Sequence, residues 1–212
     1  MPYGFLDVLA TPSVKAAQAA NGSLGIYDSV SADRAFDRFT DSEIAFIAAR
    51  DSFYMASVSE SGWPYVQHRG GPPGFLKVLD DKTLAFADFR GNRQYISLGN
   101  VAADDRVALI LMDYPHRARL KILAHIEMRG LEEDPELAAL LTLPGYKAKP
   151  ERAFLLHLET FDWNCPQHIT PRFTAEEVGQ AVQSLHERLQ ALEAENQALR
   201  AQVRAHETEA SS

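Results

Sequence analysis

SFYMASVSESGWPYVQHR, residues Ser52 to Arg69, decides the fold. Ser52 to Ser59 is rich in aromatic and β-branched residues, Ser59-Glu60-Ser61-Gly62 carries turn chemistry, and Trp63 to Arg69 returns as a second strand. That pattern is a β-hairpin. Working outward, the same signal repeats. Phe75 to Leu79, the turn Asp80-Asp81-Lys82 and Thr83 to Asp88 predict the next pair, and Arg106 to Met112, Ala118 to Arg129 and Ala153 to Trp163 predict three further strands. Helical signals between them are short. Thr40 with Glu43 three positions later is a capping box for a helix over Asp41 to Arg50. Asp134-Pro135 is an N-cap followed by proline at the first helical position, opening a helix over Glu136 to Leu141. Thr11 to Asn21 predicts one more short helix followed by a loop. Strands joined by tight turns, with few long helices, predict a mainly β (α+β) architecture: a six- to seven-stranded antiparallel barrel.

The tail reads differently. From Thr174 onward there is no proline, and Gly179 is the only glycine. Val178, Val182, Leu185, Leu189, Leu192, Asn196, Leu199 and Val203 step by four and three in alternation. Val182, Leu189, Asn196 and Val203 take heptad position a, and Val178, Leu185, Leu192 and Leu199 take d. Leucine at d, with valine and one asparagine at a, is the pattern of a parallel two-stranded coil whose buried amide fixes register. Arg188 (g) would face Glu193 (e) of a partner, and Glu195 would face Arg200. An amphipathic helix docked on the body is the competing reading. The lead-in Thr174-Ala175-Glu176-Glu177 is acidic, which excludes a basic-zipper DNA binder. The expected divisions are an N-terminal arm over 1–35, a barrel domain over 36–173 and a coiled-coil helix over 174–212.

Charge and composition narrow the class. The formal net charge is −8, half of it in the tail, where seven Glu stand against three Arg. An acidic body excludes a general nucleic-acid binder but leaves room for a local phosphate pocket. One cysteine, Cys165, excludes an internal disulfide and fits a reducing compartment. No signal-peptide pattern and no apolar run of spanning length occur, so a soluble cytoplasmic protein is expected.

Phe86 to Val101, FADFRGNRQYISLGNV, carries the chemistry. An apolar strand breaks into Arg90-Gly91-Asn92-Arg93-Gln94 and re-enters a helical turn through Tyr95, Ile96 and Leu98. Arg93 offers a planar fork, Gly91 close backbone approach, Asn92 and Gln94 amide donors, and the following turn free N–H groups. Such a set suits a phosphate, although taken alone it also fits a solvated loop with two surface arginines. The second cluster, Val66-Gln67-His68-Arg69-Gly70-Gly71-Pro72-Pro73-Gly74-Phe75-Leu76-Lys77, is a strand ending in donors, a rigid Gly/Pro turn and an apolar re-entry. It suits the polar edge and apolar cover that a flat heteroaromatic ring needs.

The order of hairpin, QHRGGPPGFLKV, FADFRGNRQYISLGN and the late WNCPQHITPRF resembles the pyridoxamine 5′-phosphate oxidase-like FMN-binding split barrels, in their oxidase-related group. The resemblance spans Phe36 to Phe173. It implies FMN as cofactor, held where two protomers of a homodimer meet, and an FMN-dependent oxidoreductase acting on a small molecule. By the family's pattern Gln67, His68 and Arg69 lie along the ring edge, with Leu76 and Phe89 beside them. Lys77 and the Asn92-Arg93-Gln94 element hold the phosphate, glutamine standing where the family has lysine. Trp163, Asn164, Gln167 and Arg172 would reach in from the second subunit. His68 and then His168 are the candidate proton donors. After Arg172-Phe173 the chain turns into an acidic coil instead of the family's phosphate-gripping terminus, which argues against pyridoxamine 5′-phosphate as substrate. The alternative is a non-catalytic flavin-binding sensor or carrier signalling through the coil, separable by the rate of reduction with NAD(P)H. A metal site is not expected, because Cys165 with His168 is only a two-ligand fragment. His125 and His157 read as core histidines, and Cys165 as an inert thiol.

Overall fold

The computed structural model describes residues 4–26, 36–163 and 167–210, with backbone alone for Val203 and for 205–210. Asn164 and Cys165 therefore lie outside the described residues, as does the Val203 side chain. Two compact units emerge, Met1–Ile169 and Thr170–Ser212.

In the first unit, seven strands form one wholly antiparallel sheet. They are β1 (Ser52–Val58), β2 (Pro64–Gly70), β3 (Lys77–Val78), β4 (Thr83–Phe89), β5 (Arg106–Asp113), β6 (Ala118–Arg129) and β7 (Pro150–Trp163), in the order β2-β1-β5-β6-β7-β4-β3. The sheet curls on itself. Phe53 of β1 and Phe86 of β4, strands four places apart in that order, meet edge to face at 5.3 Å, and Phe53 stacks on Phe75 at 5.6 Å. Phe53, Met55, Leu84, Phe86, Leu111, Leu120, Ile122, Phe154 and Phe161 fill the interior, each no more than 1% exposed. Alternation along each strand dictates this, because every second side chain points inward.

Strands β4 and β7 are covered on both faces. Leu84 and Phe86 point into the barrel, while Ala85 and Ala87, with Ala153 and Leu155 of β7, pack under Leu137 and Leu141. Those two leucines belong to α5 (Pro135–Leu141), which opens at Asp134 as its sequence requires. Helix α3 (Asp41–Ala48) forms with the Thr40–Glu43 capping box in place, ending two residues short of the expected Arg50. Strand β3 is shorter than the expected Phe75 to Leu79: the Phe75 N–H donates to the Pro72 carbonyl at 3.0 Å and closes the preceding turn, and Phe75 and Leu76 are core residues, 2% and 1% exposed. Helix α2 (Pro12–Ala20) matches its signal, and α1 (Phe5–Leu9) had none. His125 and His157 correct their reading as core histidines. They face each other across β6 and β7 on the outer surface, half-exposed, against Asp105 and Glu127.

The second unit holds one helix, α6 (Ala175–Ala210). Thr174 and Glu177 form a reciprocal cap at its start: Glu177 N–H donates to Thr174 Oγ1 at 3.1 Å and Thr174 N–H to Glu177 Oε2 at 2.7 Å. Among the described residues no helix is long and apolar enough to cross a membrane.

Candidate functional site

Two of the curled strands and one helix enclose a cavity of about 310 Å³. Strand β2 contributes Tyr65, Gln67 and Arg69, strand β4 contributes Phe86, Asp88 and Phe89, and the loop 91–95 with the start of α4 (Ile96–Ala103) closes the third side. The two clusters that sequence singled out, through Gln67 and Arg69 of the first and the Gly91 to Tyr95 loop of the second, thus share one space.

The loop is unusual in its backbone. Arg93 and Tyr95 both adopt the left-handed conformation, with φ of 63° and 52°. A left-handed non-glycine residue costs on the order of 1–2 kcal/mol, so other contacts must hold the turn. Tyr95 supplies them. Its hydroxyl donates to Glu151 Oε2 at 3.3 Å, and the Arg152 guanidinium lies 5.5 Å from its ring centroid. Asn92 Oδ1 accepts from the Gln94 N–H at 3.1 Å, which fixes the Asn92 side chain against the loop. A hydrogen bond with the Tyr95 side chain, then the fields of Tyr95 and Glu151, raise the pKa of Arg93 above its usual value. Arg93 is a permanent cation. Just beyond it, α4 begins at Tyr95 with no side-chain cap, so its first N–H groups open onto the cavity beside Ser97, itself 6% exposed. Free N–H groups at a helix start and an arginine fork together favour an anion. The space beside Gly91 is open, since an added Cβ there would meet only the Phe89 carbonyl, at 4.0 Å.

Behind the loop lies a charge triad. Asp88, 8% exposed, accepts from Arg69 Nη1 at 2.9 Å and from Arg152 Nη1 at 2.5 Å. It ties β2, β4 and β7 together where the sheet closes. Arg69 also lies 5.7 Å from the ring centroids of Phe86 and Phe154, and its Nε–H is buried without a partner. Its charge is already balanced by Asp88, which leaves Arg93 as the principal cation facing the cavity.

The other expected site residues fall in several places. Gln67 points inward, taking a hydrogen bond from the Tyr65 hydroxyl and giving one to the His68 carbonyl at 3.2 Å. His68 borders the cavity, but strand alternation turns its imidazole outward, where it meets the Tyr54 ring at 5.4 Å. Leu76 is core, and Lys77, on β3, pairs with Ala85 of β4 and lies outside the cavity lining. Trp163 packs edge to face on Phe46 at 4.8 Å and donates through Nε1 to Glu43 Oε1 at 2.6 Å. That carboxylate is fully buried and also accepts from the Thr40 N–H and hydroxyl. Gln167 and His168 lie in an exposed turn, His168 with φ of 63°, and Arg172 belongs to the second unit. Sequence reasoning missed Asp88, Tyr95, Ser97 and Glu151. Among the described residues no three His, Cys, Asp or Glu side chains are grouped as a metal site.

Several solved structures are similar to this chain at low identity. Group A Streptococcus HupZ is 14% identical, with a TM-score of 0.48 over 64% of this chain and 99% of its own. A Clostridium acetobutylicum protein related to general stress protein 26 is 13% identical, with a TM-score of 0.44 over 65% and 94%. An FMN-binding protein from Syntrophomonas wolfei is 13% identical, with a TM-score of 0.41 over 59% and 88%. No curated protein matches. The sequence pattern of the pyridoxamine 5′-phosphate oxidase family matches residues 39–157, the span from the residue before the α3 cap to the middle of β7, and the chain belongs to that family.

Proposed function

We propose that this protein binds FMN and is a cytoplasmic FMN-dependent oxidoreductase acting on a small molecule as a homodimer. The observation that carries the reading is the convergence of Arg93 and the uncapped start of α4 on one cavity with Gln67. That donor set fits a phosphate monoester, and the cavity's apolar flank (Phe75, Phe86, Phe89, Leu98) fits the flat ring that such a phosphate would tether. When bound, the flavin supplies electron exchange with a substrate. The chain's own residues do the rest. Arg93, the Asn92 amide and the first N–H groups of α4 hold and neutralise the phosphate, and Gln67 orients the ring edge. Asp88, Arg69 and Arg152 keep the two walls at fixed separation.

The homodimer is supported by the outer face beside the cavity. Tyr54, Val58, Trp63 and Val66 on β1, β2 and their hairpin are 40%, 41%, 76% and 60% exposed, an apolar patch suited to a second copy. The parallel coil expected from the tail belongs to the same dimer. Trp163 is engaged with Glu43 within its own chain, so a partner's contribution to the cavity would come from residues after it, up to Arg172.

The test is a titration of flavin-free protein with FMN and with riboflavin, which lacks the phosphate. The native protein is expected to hold FMN far more tightly. Arg93→Ala should weaken FMN by about ten- to a hundredfold, as loss of a charged hydrogen bond of about 1.5–3 kcal/mol implies, while leaving riboflavin unchanged. His116→Ala, remote from the cavity, should alter neither. Equal affinity of the native protein for the two flavins would end the assignment.

A further inference from the structure

We infer that α6 is one strand of a parallel, in-register, two-stranded coil whose other strand is a second copy of this chain. The helix runs 36 residues without a break, about 54 Å at 1.5 Å per residue. Along one stripe Val178, Leu185, Leu189, Leu192 and Leu199 are 49%, 67%, 51%, 44% and 53% exposed. Surface positions seldom keep so regular an apolar row, and the spacing alternates three and four with no skipped place through Leu199.

The occupant follows from what interrupts the row. Asn196 holds position a, and every described d position is apolar. In an antiparallel pair a layers face d layers, so the Asn196 amide would be buried against leucine with its hydrogen bonds unmet, which is costly. A shift by one heptad in a parallel pair would set it against Leu189 or Val203. Only a parallel copy in register lets Asn196 meet Asn196. The flanks agree, since Arg188 then stands across from Glu193 and Glu195 across from Arg200 of the partner helix, opposite in sign at both places. Charges elsewhere are used within the helix, as in the Gln183 to Glu187 hydrogen bond at 3.1 Å. A different coil-forming protein would have to reproduce both the asparagine and the charge pattern in the same register, which the chain's own copy does by identity.

The experiment uses the full chain with Cys165→Ser, so that an introduced thiol is the sole one. Leu185→Cys and Leu199→Cys lie two heptads apart on the seam, and Glu187→Cys is on the outer face. Under mild oxidation both seam variants are expected to form covalent dimers at least about tenfold faster than Glu187→Cys, because facing thiols react at effective concentrations near millimolar. An antiparallel pair cannot bring both positions to their own copies, so crosslinking at one seam position alone overturns the arrangement. So does crosslinking at neither beyond the Glu187→Cys rate. As a second measurement free of cysteine, Asn196→Leu should raise the Tm of α6 and admit higher oligomers in sedimentation. An unchanged Tm and mass distribution would remove Asn196 from the seam. Neither readout requires flavin, so these results stand or fall apart from the cofactor assignment.

Discussion

Phe86 and Leu189 are both large apolar residues on a regular repeat, yet Phe86 is 1% exposed and Leu189 is 51% exposed. The barrel meets its burial needs within one chain. Its strands curl until β1 and β4 touch, and aromatic rings from both fill the space between. The α6 repeat leaves Leu185, Leu189, Leu192 and Leu199 exposed, and it is on their period that the partner proposed above rests. The contrast teaches that identical chemistry reports different things. In the barrel, apolar periodicity says which face is inside, and in the helix, on the arrangement proposed above, it marks the seam for a second molecule.

The largest expected effect tests that difference directly. Phe86→Ala removes a ring packed on Phe53 and Phe154 and should lower barrel stability by about 3–5 kcal/mol, a within-chain loss of the same size at every protein concentration. Leu189→Ala should instead shift a transition that moves with protein concentration, since a seam residue contributes only when two chains associate. Denaturation at two concentrations differing a hundredfold separates them. A concentration-independent loss for Leu189→Ala would show its stripe to be covered within the chain.

Next comes the closure of the barrel. Asp88→Ala leaves Arg69 without its counter-charge and Arg152 with only Glu151, 3.6 Å away, in a largely buried setting, and such a broken network typically costs about 3–5 kcal/mol. Asp88→Asn keeps the shape and should lose less. Because the triad braces the two walls of the cavity, Asp88→Asn is also expected to weaken FMN and riboflavin together, unlike Arg93→Ala, which should discriminate between them. A variant that binds both flavins normally would detach the triad from the site.

Much of the fold was legible because it rests on local chemistry. Ser59 to Gly62 marks a turn whatever surrounds it, and the Thr40–Glu43 and Asp134–Pro135 signals satisfy helix N–H groups within one turn. Strand order was not legible, since β4 pairs with β7 through residues about seventy positions apart. Nor could sequence show that Ala85 and Ala87 are small because α5 lies over them. In the site, Gln67, Asn92 and Arg93 stood out as donors beside glycine. Asp88 and Glu151 did not, because a carboxylate near an anion loop reads as a misplaced surface charge until its arginines are seen. Tyr95 carried a faint signal as the aromatic residue that ends a polar run. His68 was assigned by its neighbours, while a period of two sent its ring to the other face.

The smallest expected effect concerns an exposed pair that belongs to the barrel but behaves as surface charge. At the start of β5, Arg106 grips Asp104 through Nε at 2.8 Å and Nη2 at 2.6 Å. These hydrogen bonds, first from the Arg106 side chain and then from its backbone, lower the Asp104 pKa from 3.8 to about 2. A carboxyl whose folded pKa is depressed contributes stability that is complete above its unfolded pKa and is lost as pH falls through the folded one. The contribution should therefore be constant above pH 3.8 and fade toward pH 2. Arg106→Ala should return the Asp104 titration midpoint, followed by carboxyl NMR, toward 3.8. Its stability deficit should be small, present at neutral pH, absent near the bottom of that window, and reduced by molar salt, because solvent screens a pair so exposed. The buried Asp88 triad should show no comparable relief in salt. If Asp104 titrates at the same pH with and without Arg106, the depression has another source, and the division between screened and buried charge in this barrel would need to be redrawn.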